Sequence, residues 1–135
     1  MKKIEVYIAF NGNCEEAMNF YKSAIGGEIK SMTKFDQAPF PVAEKDKSRV
    51  FHSEFQCENV YIMASDGMPD NPISMGDNIS LSIAFDNEDE QTKIFDNLCQ
   101  GGSVTMPLQD THWNARFGML KDKFGINWMF NCPKS

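Results

Sequence analysis

The sequence has only two histidines among its 135 residues, and no two of its cysteines stand in C-x-x-C spacing. The four cysteines, Cys14, Cys57, Cys99 and Cys132, are too scattered for a zinc ribbon, and a chain of this size does not need a disulfide framework. Cys14 and Cys99 fall in predicted helices, where a small buried thiol is the common role. This cysteine usage predicts a soluble protein of the reducing cytoplasm.

The sequence also lacks a basic surplus and a long apolar run. Its 13 Lys and Arg against 19 Asp and Glu give a formal net charge of −6. That balance disfavours nucleic acid or an anionic membrane as a partner, because no positive surplus offsets phosphate charge. No segment approaches the roughly 20 apolar residues of a membrane span, and no apolar signal segment follows the first three residues. We therefore expect neither nucleic acid nor a membrane among the partners.

A stretch that occurs twice organises the chain. Gly26-Gly27 separates the end of a predicted helix from the start of a strand, and Gly101-Gly102 does the same 75 positions later. The same offset relates two sets of alternating apolar residues that are typical of half-buried strands. These sets are Ile4, Val6, Ile8 and Phe10 in the first copy and Ile79, Leu81, Ile83 and Phe85 in the second. The repeat therefore predicts two structural copies in one chain.

Each copy is predicted to run strand, helix, strand, strand, strand. In the first copy the elements cover residues 4–10, 14–25, 28–35, 50–57 and 60–66, with a polar loop at 36–47. In the second they cover residues 79–85, 87–100, 103–107, 115–121 and 127–131. Asn13 with Glu16 resembles a capping box at the first helix. The prediction is one α+β domain over residues 1–135, with module 1 at about 1–66, a linker at about 67–77 and module 2 at about 78–135.

Several ordered motifs carry a resemblance to a known superfamily. They are Phe10-Asn11-Gly12-Asn13-Cys14-Glu15-Glu16-Ala17, Phe20-Tyr21-Lys22, Ala64-Ser65-Asp66, Gly101-Gly102, Met106-Pro107-Leu108-Gln109-Asp110, Trp113, Arg116 and Asp122-Lys123-Phe124-Gly125-Ile126-Asn127-Trp128. The chain resembles the vicinal oxygen chelate superfamily of glyoxalase I, extradiol dioxygenases, and bleomycin- and fosfomycin-resistance proteins. Within it, the chain is most similar to the PhnB-like subfamily.

The resemblance implies a fold, an assembly and a set of candidate activities. The implied fold is two tandem βαβββ modules that form a curved mixed sheet with helices on the outer face. The implied assembly is a homodimer. Some PhnB-like proteins carry a label that names a demethylubiquinone methyltransferase, but this sequence lacks the glycine-rich strand-to-helix loop of a methyl-donor nucleotide site.

In metal-dependent relatives, His and Glu ligands come from the first and last strands of each module, on the sheet face opposite the helix. We call this the open face. Strand alternation assigns the ligand-equivalent positions here. They read Glu5 (or Val6, if the register slips), Met63, Ser80 (or Asn78) and Met129. Two thioethers and a hydroxyl do not suit a hard or borderline divalent cation. We therefore expect no metal and no other cofactor.

Two further groups are candidates for chemistry. His52 and Glu54 share the open side of the third strand, where they are either a general base with its carboxylate or a polar pair at the rim. Trp113 and Arg116 follow one another closely. They either form a lid with an aromatic face and a cation, or Trp113 plugs one end of the sheet. Trp128 is assigned to the core by alternation.

The predicted function is binding of a small molecule without a metal ion. The alternatives are a metal-independent enzyme on a small polar substrate, with His52 as its candidate catalytic residue, and a metal-dependent lyase or dioxygenase. Asp66 and Asp122 are predicted to be a turn cap and a hairpin-turn residue. The predicted ligand-binding residues are Glu5, Tyr7, His52, Glu54, Met63, Ser80, Trp113, Arg116 and Met129.

Overall fold

A computed structural model describes residues 2–134 of the chain. The chain divides into two compact units between Ser74 and Met75, a boundary that falls inside the predicted linker. We describe each module by itself. No helix within residues 2–134 is long and apolar enough to cross a membrane.

Module 1 has one helix on a four-stranded mixed sheet. Its elements are β1 (Val6–Ala9), α1 (Cys14–Ile25), β2 (Glu28–Lys34), β3 (Val50–Cys57) and β4 (Val60–Ser65). The strand order is β1-β4-β3-β2, with β1 parallel to β4 and the other pairs antiparallel. The predicted polar loop contains two short 3₁₀ turns, Phe35–Gln37 and Glu44–Asp46.

Module 2 repeats this topology. Its elements are β5 (Leu81–Ala84), α2 (Glu88–Leu98), β6 (Ser103–Asp110), β7 (Ala115–Lys121) and β8 (Asn127–Pro133). The strand order is β5-β8-β7-β6, and β5 is parallel to β8. The predicted α+β fold of two βαβββ modules is confirmed.

Alternating side chains decide which face of each sheet is buried. In module 1 Ser53 is fully buried, and its hydroxyl oxygen lies 3.6 Å from the Cys14 sulfur of α1. In module 2 the Phe130 ring packs edge-on against Phe95 of α2, with 5.0 Å between ring centroids. Trp128 is buried on the same side as Phe130, as the alternation predicted. The helix-facing residues thus form a core in each module.

The first strand of each module is shorter than predicted. Ile4 and Ile79, which begin the two repeated apolar patterns, lie outside β1 and β5. Their side chains are 100% and 75% exposed. The parallel pairing starts only at Val6 and Leu81. The apolar alternation in the sequence therefore begins before the residues that pair with a neighbouring strand.

The two predicted helical cysteines differ in environment. Cys14 is fully buried in α1, and burial raises the pKa of its thiol to about 12. Cys99 follows the last residue of α2 and is only half-buried. The prediction of a small buried thiol is therefore confirmed for Cys14 and wrong for Cys99.

The predicted capping box at Asn13 is absent, because its side chain makes no capping hydrogen bond. Asp66, just after β4, does this work instead. Its Oδ1 accepts hydrogen bonds from the backbone amides of Gly12 and Cys14, and its Oδ2 accepts one from Val50. The predicted turn cap is thus a buried carboxylate that serves the helix N-terminus. In contrast, α2 is capped locally by the Asn87 side chain, which accepts from the Glu90 amide.

Asp122 is more than the predicted turn residue. Its Oδ1 accepts hydrogen bonds from the backbone amides of Phe124 and Ile126, as expected of a turn. Its Oδ2 also accepts a 2.8 Å hydrogen bond from the indole nitrogen of Trp128. Both side chains are buried, so Asp122 fixes the orientation of the large core residue of module 2.

The second glycine of each Gly-Gly pair lies against the hairpin beside it. A Cβ atom on Gly27 would collide with the Gln56 carbonyl oxygen and with Cys57. A Cβ atom on Gly102 would collide with the Lys121 carbonyl oxygen and with Asp122. The repeated pair therefore does more than stop a helix, because it lets the next strand approach its neighbour closely.

Candidate functional site

Four side chains form a hydrogen-bonded chain on the open face of module 1. The Tyr7 hydroxyl lies 3.0 Å from His52 Nδ1, and His52 Nε2 lies 3.0 Å from Glu54 Oε2. The Tyr61 hydroxyl donates to Glu54 Oε1 at 2.8 Å. We call these four residues the Tyr7–Tyr61 chain.

Strand register brings the four residues of the Tyr7–Tyr61 chain together from three strands. Met63 on the central β4 is the register partner of Tyr7 on β1 and of Glu54 on β3. His52 and Tyr61 lie two residues away along their strands, so they share the same face. The Tyr7 ring reaches across β4, and its centroid lies 5.6 Å from that of the His52 ring.

The charges of the chain follow from its hydrogen bonds. The bond from Tyr61, and then the bond from His52, hold the pKa of Glu54 below its ordinary value. The same bond to Glu54 raises the pKa of Tyr61. The side chains of His52 and Glu54 are each 34% exposed, and Tyr7 is 50% exposed. The arrangement is thus an ionised carboxylate that supports an imidazole at a face open to solvent.

The positions that the superfamily resemblance assigns to metal ligands hold one carboxylate, Glu5, and no histidine. In register, Tyr7 lies beside Met63 and Ser82 lies beside Met129. Glu5 and Ser80 are exposed and precede β1 and β5, and the Glu5 carboxylate lies 3.9 Å from the Lys3 ammonium. Within residues 2–134, no cluster of three or more His, Cys, Asp or Glu side chains could hold a metal ion. Thioethers and hydroxyls do not replace such a cluster.

The open face of module 2 is apolar and aromatic. The Trp113 ring packs against Phe117 with 5.5 Å between centroids, and its indole nitrogen donates a 3.3 Å hydrogen bond to the Asn131 side chain. Met129 and Met119 are register partners further along the same face. Trp113 remains 51% exposed, so it offers a ring face at the surface of this module.

Arg116 lies on the opposite side of the sheet from Trp113. Its register partner is the buried Cys132, and its guanidinium reaches α2. There its Nη1 donates hydrogen bonds to the Gln91 side chain at 3.2 Å and to the Thr92 hydroxyl at 2.8 Å. The structure therefore does not bring Arg116 together with Trp113, because Arg116 and Phe117, which contacts Trp113, alternate across β7.

Tyr61 and Ser82 are among the open-face residues that the predicted site lacked. Tyr61 binds Glu54, and Ser82, not Ser80, is the register partner of Met129. The alternation of β4 could have added Tyr61, since it lies two residues from Met63. The choice between Ser80 and Ser82 depended on where β5 begins, which the apolar pattern misplaced.

A family model described as 3-demethylubiquinone-9 3-methyltransferase matches residues 2–130, nearly the entire chain. The chain belongs to this family. The PhnB-like resemblance agrees with a solved structure described as a putative 3-demethylubiquinone-9 3-methyltransferase, PhnB protein, from Bacillus cereus. It is 30% identical, with a TM-score of 0.81 over 97% of this chain and 99% of that one.

Other solved structures support the PhnB-like fold. Protein PA1353 from Pseudomonas aeruginosa is 38% identical, with a TM-score of 0.90 over the full length of both chains. A glyoxalase/bleomycin resistance protein/dioxygenase from Nocardioides is 16% identical, with a TM-score of 0.62 over 100% of this chain and 86% of that one. The latter likeness shows the fold alone, which is glyoxalase/bleomycin-resistance-like.

The family description names a methyltransferase, but the first strand-to-helix loop is not open to a methyl-donor nucleotide. The hydrogen-bond acceptors of such a nucleotide would need free backbone amides in this loop. The amides of Gly12 and Cys14 instead bind the buried Asp66 carboxylate. This loop is therefore already filled by a side chain of the protein.

Proposed function

We propose that this PhnB-like protein binds a small molecule without a metal ion, through the open faces of its modules. The Tyr7–Tyr61 chain carries this proposal. It places a hydroxyl, an imidazole and a carboxylate in fixed geometry on a partly exposed sheet face. A few ordered polar groups beside apolar side chains such as Met63 are typical of ligand sites.

The open face of module 2 suits an apolar group of a small molecule. Trp113 offers a ring face that rests on Phe117, and the flexible thioether of Met129 lies on the same sheet face. Aromatic rings and methionines adapt to varied apolar groups. These residues are our proposed contact set on module 2, and Tyr7, His52, Glu54 and Met63 are our proposed contact set on module 1. Glu5 and Ser80, which precede β1 and β5, stay in the proposal as residues beside these sets.

Binding is tested with a panel of small polar and planar compounds. A ligand should raise the melting temperature and change tryptophan fluorescence, and His52→Ala should weaken that response. The control is Lys93→Ala, a change at an exposed residue of α2 outside the proposed contact sets. A panel without any response, or an equal loss in both variants, would contradict the proposal.

The absence of a metal ion needs its own measurement. The proposal expects substoichiometric metal when the protein is purified without a metal-affinity tag and analysed for elements. A divalent cation present at one equivalent and lost together with ligand binding on chelation would overturn this part of the proposal. A metal-dependent lyase or dioxygenase would then be the better assignment.

A metal-independent enzyme is the second candidate, and the His52–Glu54 contact favours it. The Glu54 carboxylate orients the His52 imidazole through a 3.0 Å hydrogen bond, and an imidazole held in this way is a common general base. If a turnover is found, His52→Ala should abolish it. An activity that survives this substitution would remove His52 from the mechanism.

We also propose a cytoplasmic homodimer. All four cysteines are free thiols, which suits a reducing compartment.

The sheet edges formed by β1 and β5 are each only four residues long, and the exposed Ile4 and Ile79 lie just before them. Light scattering should give twice the chain mass at micromolar concentration, and Ile79→Asp should lower it more than Val104→Asp, a change at another exposed apolar residue. A monomer would contradict the assembly.

A further inference from the structure

The hydrogen bonds of the Tyr7–Tyr61 chain define where its protons lie. Glu54 has a lowered pKa, so near neutral pH it is a carboxylate that only accepts hydrogen bonds. His52 Nε2 must therefore donate to it. A neutral imidazole carries one N–H, so His52 Nδ1 is an acceptor and the Tyr7 hydroxyl donates to it.

This assignment makes the two ends of the Tyr7–Tyr61 chain different toward a ligand proton. Both ring nitrogens of His52 are engaged, and both carboxylate oxygens of Glu54 accept hydrogen bonds. The Tyr61 hydroxyl donates to a carboxylate whose lowered pKa makes it a poor proton acceptor. The Tyr7 hydroxyl donates to an imidazole nitrogen, its oxygen keeps its lone pairs, and its side chain is half exposed. A ligand proton therefore meets Tyr7 before it meets His52.

We infer that the Tyr7 oxygen is the proton acceptor for a ligand with a weakly acidic hydroxyl, such as a phenol or an enol, which is bound as its anion. This inference rests on the proposed small-molecule binding and deepens it. It assigns His52 the role of a relay that acts through Tyr7, instead of the general base that touches the ligand.

The proton balance closes within the chain and the ligand. The O–H bond of the ligand breaks, and its proton forms the new O–H bond of Tyr7. The former proton of Tyr7 moves to His52 Nδ1, so the imidazole becomes an imidazolium beside the Glu54 carboxylate. The ligand oxyanion remains hydrogen-bonded to the Tyr7 hydroxyl. Nothing is oxidised or reduced, and no further reactant is needed.

The surrounding charges do not provide another proton acceptor at this place. On β2 the register partner of His52 is Thr33, which does not titrate. Tyr61 on β4 donates to Glu54. Before β1, Lys3 and Glu5 lie near the Tyr61 end, with the Lys3 ammonium 5.9 Å from the Tyr61 ring centroid. Both are exposed and are screened by solvent.

The test uses 4-nitrophenol, whose neutral and anionic forms differ in visible absorbance. With the full chain, the apparent pKa of the bound probe should fall by about one unit, which is a tenfold shift toward the anion. Tyr7→Phe should abolish this shift. The probe should still bind to this variant, although more weakly than to the unmodified protein. His52→Gln should also abolish it, because glutamine hydrogen-bonds but does not take up a proton. Thr33→Val is the control and should keep the shift, since it removes a hydroxyl from the register partner of His52 and leaves the Tyr7, His52 and Glu54 side chains in place.

Several outcomes would overturn the inference. A full shift in Tyr7→Phe, a bound probe that stays neutral in the unmodified protein, or no binding of 4-nitrophenol at millimolar concentration would each do so. Thermal melts check that each variant is folded. If Tyr7→Phe is unfolded, the test rests on His52→Gln. A different result would contradict the proposed function, namely that no compound of the wider panel binds at all.

Discussion

The Asp66 carboxylate, just after β4, accepts a 2.8 Å hydrogen bond from the backbone amide of Cys14 at the start of α1. The two residues are 52 positions apart in the chain. The same carboxylate binds the amide of Val50 at the start of β3. One buried side chain thus joins the beginning of the helix to two strands of its sheet, which makes it a target for a stability test.

Asp66→Asn should lower the free energy of unfolding by about 2 kcal/mol, because one carboxylate oxygen becomes an amide that cannot accept from a buried N–H. Urea denaturation measures the change. Asp70→Asn removes the same charge from an exposed position and should change stability by less than about 0.5 kcal/mol. Equal effects of the two substitutions would contradict the capping role of Asp66.

Gly102→Ala should destabilise module 2 by about 2 kcal/mol or more, since the new methyl group meets the backbone of Lys121 and Asp122, which cannot give way as a side chain can. Thermal melting and urea denaturation measure this. Gly76→Ala is the control, because its nearest neighbour would be the Asn78 side chain at an ordinary 3.5 Å. A Gly102→Ala variant as stable as Gly76→Ala would show that close approach does not explain the second glycine.

Arg116→Met should lower stability by about 1–2 kcal/mol and leave ligand affinity unchanged. The substitution removes the donor to the fully buried Gln91 and the hydrogen bond to Thr92 on α2. Lys93→Met removes the same charge from an exposed site on α2 and should be nearly neutral. Weaker binding without a loss of stability would instead restore the sequence-based hypothesis that Arg116 belongs to the ligand site.

Iodide should quench the two tryptophans very differently. Trp113 is 51% exposed, and Trp128 is 2% exposed with its indole bound to the buried Asp122. Trp113→Phe should therefore leave a blue-shifted emission with little quenching, and Trp128→Phe should leave a strongly quenched one. Equal quenching in the two variants would show that Trp113 is covered in solution.

The contribution of Glu54 to stability should depend on pH. Hydrogen bonds from Tyr61 and His52 lower its pKa from 4.5 in the folded protein. The contribution of ionised Glu54 to the free energy of unfolding is therefore complete above the unfolded-state pKa. It is lost as the pH falls through the folded-state pKa. The stability difference between the unmodified protein and Glu54→Gln should be present at neutral pH and shrink below about pH 4. Tyr61→Phe should reduce this pH dependence, and a difference that is constant with pH would contradict it.

The sequence predicted the fold through two kinds of local signal. Period-two alternation on the strands assigned Tyr7, His52, Glu54 and Met63 to one face, and the strand register places them there. The repeated Gly-Gly pairs marked where each helix ends. These signals work because they depend on backbone geometry that neighbouring residues share. Alternation failed at Ile4 and Ile79, where an apolar pattern continued past the end of the pairing.

The site itself was only partly predictable. Alternation shows which side of a strand a residue occupies, but not which side chain it meets across the sheet. His52 and Glu54 are neighbours on one strand, so their contact could be predicted. Their partners Tyr7 and Tyr61 come from two other strands, and hydrogen bonds to them depend on register. That dependence is why the sequence indicated only His52 as a candidate catalytic residue, and why its hydrogen bond with Tyr7 is known only from the structure.

By itself, the sequence determined two βαβββ copies and the side of each sheet that is buried. These properties follow from residue type and period, which act over a few neighbouring residues. Only the tertiary structure decided that Asp66 caps α1, that Arg116 binds α2 and that Tyr7 meets His52. Each of these contacts joins residues that are distant in the chain. Their hydrogen bonds form only when strand register and helix packing bring the atoms within about 3 Å.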